Sequence, residues 1–309
     1  MAPITPSLID YVFPLMLKPK WMGKPSPIQR QKAADIMFRP AQRRSTLVSA
    51  FSIAELIYHS IVRDVRKGHG NALVALLMNM LQAAVMVLTF FVMFTVLGLR
   101  SAALRGDFLL YIMSGIFMYM THVKTVSAVV GSDGPASPMM KHAPMNTIIS
   151  IAASSLGALY IQVLSLLAIL FIYHVAMNPF DIDQKAAAFG MVLLSWFLGL
   201  ALGLVLLAMK PWAPDFVQVF TIIYQRANMI ASGKMFVVNQ LPSFMVSLFD
   251  WNPLFHIIDQ TRGFVFINYF PRHTTVEYPI MMGIIFLVVG MMGEFYTRRH
   301  ASLSWNAKR

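Results

Sequence analysis

The chain has no cysteine, which excludes a disulfide framework, a thiolate metal site and a cysteine nucleophile. Charge is scarce as well: 12% of the 309 residues are Asp, Glu, Lys or Arg, against ~25% in a soluble domain. Acids are the scarcer kind, 13 against 25 basic residues, for a net charge of +12. There is no Walker A loop. Of the two Gly-Lys pairs, Gly23-Lys24 is followed by Pro25 and Gly233-Lys234 by Met235 inside an apolar segment, where the phosphate loop would need Ser or Thr for magnesium. The chain is therefore not expected to hydrolyse ATP. HExxH and GxSxG are missing too, and no close pair of acids suggests glycosidase or transferase chemistry. His59, His69, His122, His142, His174, His256, His273 and His300 are scattered without metal-ligand spacing. Lone histidines of this kind are expected to meet water or headgroups, so neither a metal site nor catalysis is expected. A signal peptide is not expected either: the apolar run at 11–17 is short, contains Pro14 and precedes its positive charges.

What the chain has instead is apolar length. Apolar residues make up 57% and the mean hydropathy is +0.63. Six segments carry most of it, at 72–99, 108–130, 147–175, 186–209, 216–238 and 278–296. Each is near or above the ~20 residues a helix needs to cross ~30 Å of hydrocarbon. The expected fold is all-α, a polytopic membrane protein with six transmembrane helices. Gly199 and Gly203 form a small-xxx-small face for close helix packing.

Flanking regions differ in character. Residues 1–45 are basic and proline-bearing, a cytoplasmic extension without expected structure. Residues 46–70 read as an amphipathic helix lying in the membrane interface: Leu47, Phe51, Ile57, Ile61 and Val65 oppose Glu55, His59, Arg63 and Arg66. A helix packed on a soluble partner is the other reading. The six-helix domain is placed at 71–296 and a basic tail at 297–309.

Lys and Arg orient the chain. Eleven precede Ala72, and Lys124, Lys141, Lys210 and four tail residues fall on the same side. Arg100, Arg105, Lys185, Arg262 and Arg272 fall on the other. The bias puts both termini in the cytoplasm. Basic ends beside anionic lipid, rather than nucleic acid, account for the positive charge.

The stretch between the fifth and sixth segments holds WNPLFHIIDQTRGFVF. Asn252 can cap a helix that Pro253 opens, Asp259 and Arg262 are three apart and can pair, and Gly263 can end it. About ten helical residues cannot span, so an external re-entrant or interfacial helix is expected, with an ordinary loop as the alternative. Within the fifth segment, Arg226, flanked by Gln225 and Asn228, lies near the bilayer midplane by count from Phe216. It faces a wet cavity or an anionic passenger on one reading, and snorkels or packs on carbonyls on the other. Tyr111, Phe117 and Tyr160 are candidates to line a conduit, since aromatic faces stack on sugars; core packing is the alternative. Lys124 can reach the interface along its own stem.

At this point the pattern resembles the ABC-2-type permeases, in particular those exporting capsular polysaccharide or O-antigen. Four features carry the likeness: the run ELIYHSIVRDVRKGHGN with Arg63, Asp64, Arg66 and Lys67; KTVSAVVGSDGPASPMMKHAPMN after the second segment; ASGKMFVVNQLP, with Ser232 and Gly233, at the end of the fifth; and WNPLFHIIDQTR. The likeness covers roughly residues 50–300. The chain departs from the family pattern in lacking Trp and Pro early in helix one, in placing Lys234 beside Gly233, and in its N-terminal extension.

The resemblance implies a homodimeric permease of the bacterial inner membrane, with ATP and magnesium held by a separate nucleotide-binding ATPase and no cofactor on this chain. It implies that Arg63, Asp64, Arg66, Lys67, Lys141 and His142 receive the ATPase's motion. An external gate would be built from Ser232, Gly233, Asn252, Pro253, Asp259 and Arg262. Periplasmic and outer-membrane export proteins and membrane lipids are the further partners it implies; nucleic acid is not one. The alternatives are an ABC-2 permease for another lipid or small amphiphile, and a membrane-embedded glycosyl- or acyltransferase.

Overall fold

The computed structural model describes residues 55–63, 71–96, 98, 107–134, 147–176 and 179–300. All belong to one compact unit, Phe51–Arg309. The expected extension at 1–45 lies outside the described residues, as do Asp64, Arg66, Lys67, Lys141, His142 and residues 301–309 of the tail.

The described residues are helical, with no strand among them. Residues 55–63 form a helical stretch in which His59 pairs with Glu55 one turn back, at 3.8 Å. Eight further α-helices follow: α1 Ala72–Val96, α2 Phe108–Val130, α3 Thr147–Ala176, α4 Lys185–Met209, α5 Pro214–Ala231, α6 Ser243–Phe249, α7 Pro253–Val265 and α8 Glu277–His300. A 3-10 turn, Val238–Gln240, separates α5 from α6. Four helices among the described residues, α1, α3, α4 and α8, are long and apolar enough to cross a membrane. The chain is a multi-pass helical membrane protein.

Helix α2 is the axis of the bundle. Asp107 caps it by accepting from the Leu109 and Leu110 amides, and the Tyr173 hydroxyl of α3 donates to the same carboxylate. Every residue from 110 to 122 is buried. Ser114, Thr121 and His122 lower its hydropathy, and protein rather than lipid surrounds them. The hydroxyls of Ser114, Thr121 and Thr125 bond to carbonyls of their own helix, so they add no unpaired group to the core.

Helix α4 packs against α2 through the small-residue face read from the sequence. A Cβ at Gly199 would stand 2.7 Å from the His122 carbonyl oxygen, and one at Gly203 would stand 2.8 Å from Val129 Cβ. Only glycine permits that backbone approach. On its other side α4 meets α8, where Gly283 accommodates Phe197 and Gly290 accommodates Leu204.

Several expected boundaries move. The fifth helix ends at Ala231, not at 238, because Gly233 takes φ +74, a left-handed conformation that turns the chain out of the helix. The last helix continues to His300, where Thr297 donates to the Ala208 carbonyl and accepts from Trp212 Nε1. Between α5 and α8 stand a 3-10 turn and two helices, where one helix or an ordinary loop was expected. Helix α7 has the predicted Asn252 cap, with Pro253 in its first turn. It runs through Gly263 to Val265; that glycine instead makes room for the Pro271 ring, which would lie 2.7 Å from a Cβ there.

Candidate functional site

Two polar regions stand out inside this apolar bundle, one near each end of α2. The first lies where the chain leaves α5 and where α7 packs. Arg262 is the largest fully buried side chain among the described residues, at 0% exposure. Its guanidinium donates through Nη1 to the carbonyls of Gly233 (3.0 Å) and Phe236 (2.7 Å), and through Nη2 to that of Lys234 (2.9 Å). It also lies 4.2 Å from the Tyr111 ring centroid. A planar fork can hold several carbonyls at once, which a lysine ammonium does not match. Gly115 makes the approach possible: a Cβ there would stand 3.0 Å from Arg262 Nη2 and 2.9 Å from Lys234 Cβ.

Asp259 and Arg262 do not pair. The arginine is taken by the carbonyls of the 233–236 turn, which lie nearer to its fork than the carboxylate does. Asp259 accepts instead from the Tyr269 hydroxyl and, at 2.8 Å, from Thr274 Oγ1. Asn252 completes the joint. Its Oδ1 accepts from the Leu254 amide, while Nδ2 donates to Asn228 Oδ1 (2.8 Å) and the Ala231 carbonyl (3.0 Å). One side chain thus starts α7 and fastens it to the end of α5.

Of the residues read as an external gate, Ser232, Gly233, Asn252, Pro253, Asp259 and Arg262 are brought together here. Ser232 is buried and its Oγ has no partner. Lys234 was noted only as a departure from the family pattern. Its side chain is 3% exposed and Nζ has no hydrogen-bond partner; the ammonium stands 3.6 Å from the Tyr119 ring centroid and 5.0 Å from that of Phe90. Ring faces supply the negative potential that an acid would otherwise provide.

Two of the histidines depart from expectation, while His59, His174, His273 and His300 are exposed. His122 is fully buried, with Nε2 2.8 Å from Tyr224 Oη on α5 and Nδ1 3.4 Å from the Ser195 carbonyl on α4. His256 accepts at Nδ1 from the Thr275 amide and donates from Nε2 to Asp250, whose carbonyl lies at 2.9 Å and carboxylate at 3.0 Å. Both join helices rather than meet water. At the start of α4, exposed Lys185 stands 2.9 Å from Asp181 on the preceding connection and holds that carboxyl below the usual range.

The candidate conduit residues are spread out. Arg226 is exposed on α5, Gln225 is half-buried and Asn228 is buried. Arg226 lies in the C-terminal half of α5, past its middle, because the helix is shorter than expected. Gln225 Nε2 donates to Ser127 Oγ at 2.7 Å, and its carbonyl accepts from Tyr119. Tyr111 and Phe117 are packed in the core, whereas Tyr160 is exposed.

The second polar region is a cleft of about 850 Å³ between α1, α2 and α3. Asn79, Gln82, Lys124, Ser127, Asp133 and Gln162 border it. Lys124 Nζ donates to Gln82 Oε1 at 2.6 Å. Asn79 donates to Ser165 Oγ (2.8 Å) and accepts from Gln162 Nε2 (3.0 Å). Sequence reading passed over Asn79, Gln82 and Gln162. The available signal was amides inside apolar runs, with Asn79 and Gln82 at helical spacing.

No family model matches the chain. It is 23% identical over 202 residues to a polysialic acid transport protein KpsM of Escherichia coli, covering 64% of this chain and 76% of that protein. A second polysialic acid transport protein KpsM of Escherichia coli is 21% identical over 263 residues, covering 83% of this chain and 98% of that protein. With its own motifs resembling the ABC-2-type permeases of polysaccharide export, the chain is a distant relative of these polysialic acid transport proteins.

Proposed function

We propose that this chain is the permease subunit of an ATP-driven exporter that moves a capsular polysaccharide or a lipid-linked glycan across the bacterial inner membrane. The observation that carries the reading is the similarity to polysialic acid transport proteins along nearly the whole length of one of them. Six spans are proposed, the four apolar helices plus α2 and α5. At ~1.5 Å per residue, α2 with 23 residues and α5 with 18 extend about 35 Å and 27 Å. Their lower hydropathy fits helices that face protein or a polar path. Helix α7, with 13 residues, is about 20 Å long and too short to cross; it enters from the external side and returns. Both termini are cytoplasmic.

The chain works as a homodimer with two copies of a separate ATPase that holds the ATP and magnesium. The 46–70 segment, through Arg63 and the basic residues after it, and the 131–146 connection, through Lys141 and His142, receive the ATPase's motion. The α5–α7 joint around Arg262 is the external gate, and Arg226 with Gln225 and Asn228 lies on the path. Periplasmic and outer-membrane export proteins continue the route, and membrane lipids surround the dimer.

The test is a strain in which the gene is removed. Surface polysaccharide is expected to disappear, to return with the chain, and to depend on a nucleotide-binding ATPase that co-purifies with it. Normal surface polysaccharide without the chain, or purified complexes that never contain an ATPase, would overturn the reading.

A further inference from the structure

The cleft between α1, α2 and α3 belongs neither to the α5–α7 joint nor to the proposed path at Arg226. Its polar groups are arranged asymmetrically. Lys124 carries three ammonium donors, of which one is used by Gln82. The Gln162 side chain is 2% exposed, and although its Nε2 donates to Asn79, its Oε1 is buried and accepts nothing. Buried acceptors are nearly always paired. The cleft therefore presents a cation with spare donors on α2 and a carbonyl oxygen needing a donor on α3. Asp133 borders it as well. The volume falls within the ~300–1,000 Å³ of small-ligand sites.

An anionic group alone would satisfy Lys124 but not Gln162. A neutral polyol would satisfy Gln162 but leave the ammonium without its counter-charge. A ligand carrying both a carboxylate and hydroxyls satisfies both. We infer that this cleft is a binding site for an acidic, hydroxyl-bearing sugar unit, held by its carboxylate at Lys124 and by a hydroxyl donated to Gln162 Oε1. The inference rests on the export reading and its orientation, which place the cleft in the cytoplasmic half: α1 starts there, α2 ends there and α3 starts there. It makes the cleft a site that an acidic glycan occupies before the path at Arg226. The Gln225 to Ser127 hydrogen bond connects α5 to the cleft's border.

The absence of native cysteine makes a protection assay direct. Ala158, which lines the cleft, is replaced as Ala158→Cys in the full chain. Inverted membrane vesicles are then treated with an anionic methanethiosulfonate reagent, with and without a short sialic acid oligomer. Labelling is expected to slow in the oligomer's presence and not with the same oligomer after its carboxylates are reduced to alcohols. Adding Lys124→Met should weaken protection about tenfold, as for one charge-assisted hydrogen bond, and Lys124→Arg should retain most of it. Should Lys124→Met fail to accumulate, Gln162→Leu in the same background is expected to lose protection too.

Equal labelling with and without oligomer, equal protection by the reduced oligomer, or protection indifferent to both substitutions would overturn the site. Protection by glycerol phosphate but not by the oligomer would assign the cleft to a lipid headgroup and overturn the sugar. Surface polysaccharide in cells separates this from the export reading. A chain that restores no polysaccharide defeats export itself. Restored polysaccharide with an unprotected cysteine defeats only the cleft.

Discussion

The two polar regions flanking α2 solve opposite problems with similar residue types. Around α7, a buried arginine faces three carbonyls, an aspartate faces two hydroxyls, and an asparagine joins two helices. Those bonds are all made within the chain, while Ser232 Oγ, Lys234 Nζ, Arg262 Nε and the Tyr111 hydroxyl, buried in the same region, have no hydrogen-bond partner. In the α1–α3 cleft, a lysine meets one amide oxygen, and a glutamine oxygen meets none. Hydrogen bonds between elements inside an apolar bundle fix geometry, because any displacement strands a buried group. The second region differs in that its polar groups border an open cleft. The first region is built to hold a shape that only a concerted movement can change, and the second to accept a ligand.

That contrast is broken most severely at Arg262. Replacing it by Met should strand the carbonyls of Gly233, Lys234 and Phe236, for a loss of at least about 3 kcal/mol. Thermal unfolding of the detergent-solubilised protein should show a large drop or no folded fraction, and Arg262→Lys should not restore it. A melting temperature equal to the parent's would mean that the turn is held by other contacts. Gly233→Ala comes next. Its Cβ would meet Phe255 at 2.7 Å on a backbone of φ +74, and left-handed strain with overpacking amounts to about 2–3 kcal/mol. Retained stability there would show that the turn relaxes freely.

The smallest effect sharpens the comparison from the other side. Asn79→Leu combined with Gln162→Leu removes a polar pair together, and such paired replacements are close to neutral. Stability should stay within about 1 kcal/mol of the parent in the same unfolding assay. A loss comparable to that of Arg262→Met would make the cleft a structural joint like the other region.

Much of the site at α7 was legible because its chemistry is local. Asn252 followed by Pro253 defines a helix start wherever it occurs, and the structure has that cap. The small-residue spacing of Gly199 and Gly203 likewise announced a close helix contact, though not that its partner would be α2. The pairing of Asp259 with Arg262 was a local inference that failed. Three-residue spacing brings two side chains to one helix face, but the turn at 233–236 and the hydroxyls of Tyr269 and Thr274 compete for them from elsewhere in the chain. Lys234 looked like an irregularity beside a glycine. Its burial between Tyr119 and Phe90 depends on two other helices.

Apolar run length by itself determined that this chain is a multi-pass helical membrane protein, because ~20 apolar residues are what a helix needs in hydrocarbon. The distribution of Lys and Arg, and the absence of a phosphate-binding loop, followed from the same one-dimensional pattern. Only the tertiary structure decided which polar residues are satisfied. It placed Arg262 on carbonyls about thirty residues away in the chain, His122 against Tyr224, and Lys124 beside an unfilled cleft. Hydrogen-bond satisfaction is a property of three-dimensional neighbours, and side chains from different helices become neighbours only when the bundle closes.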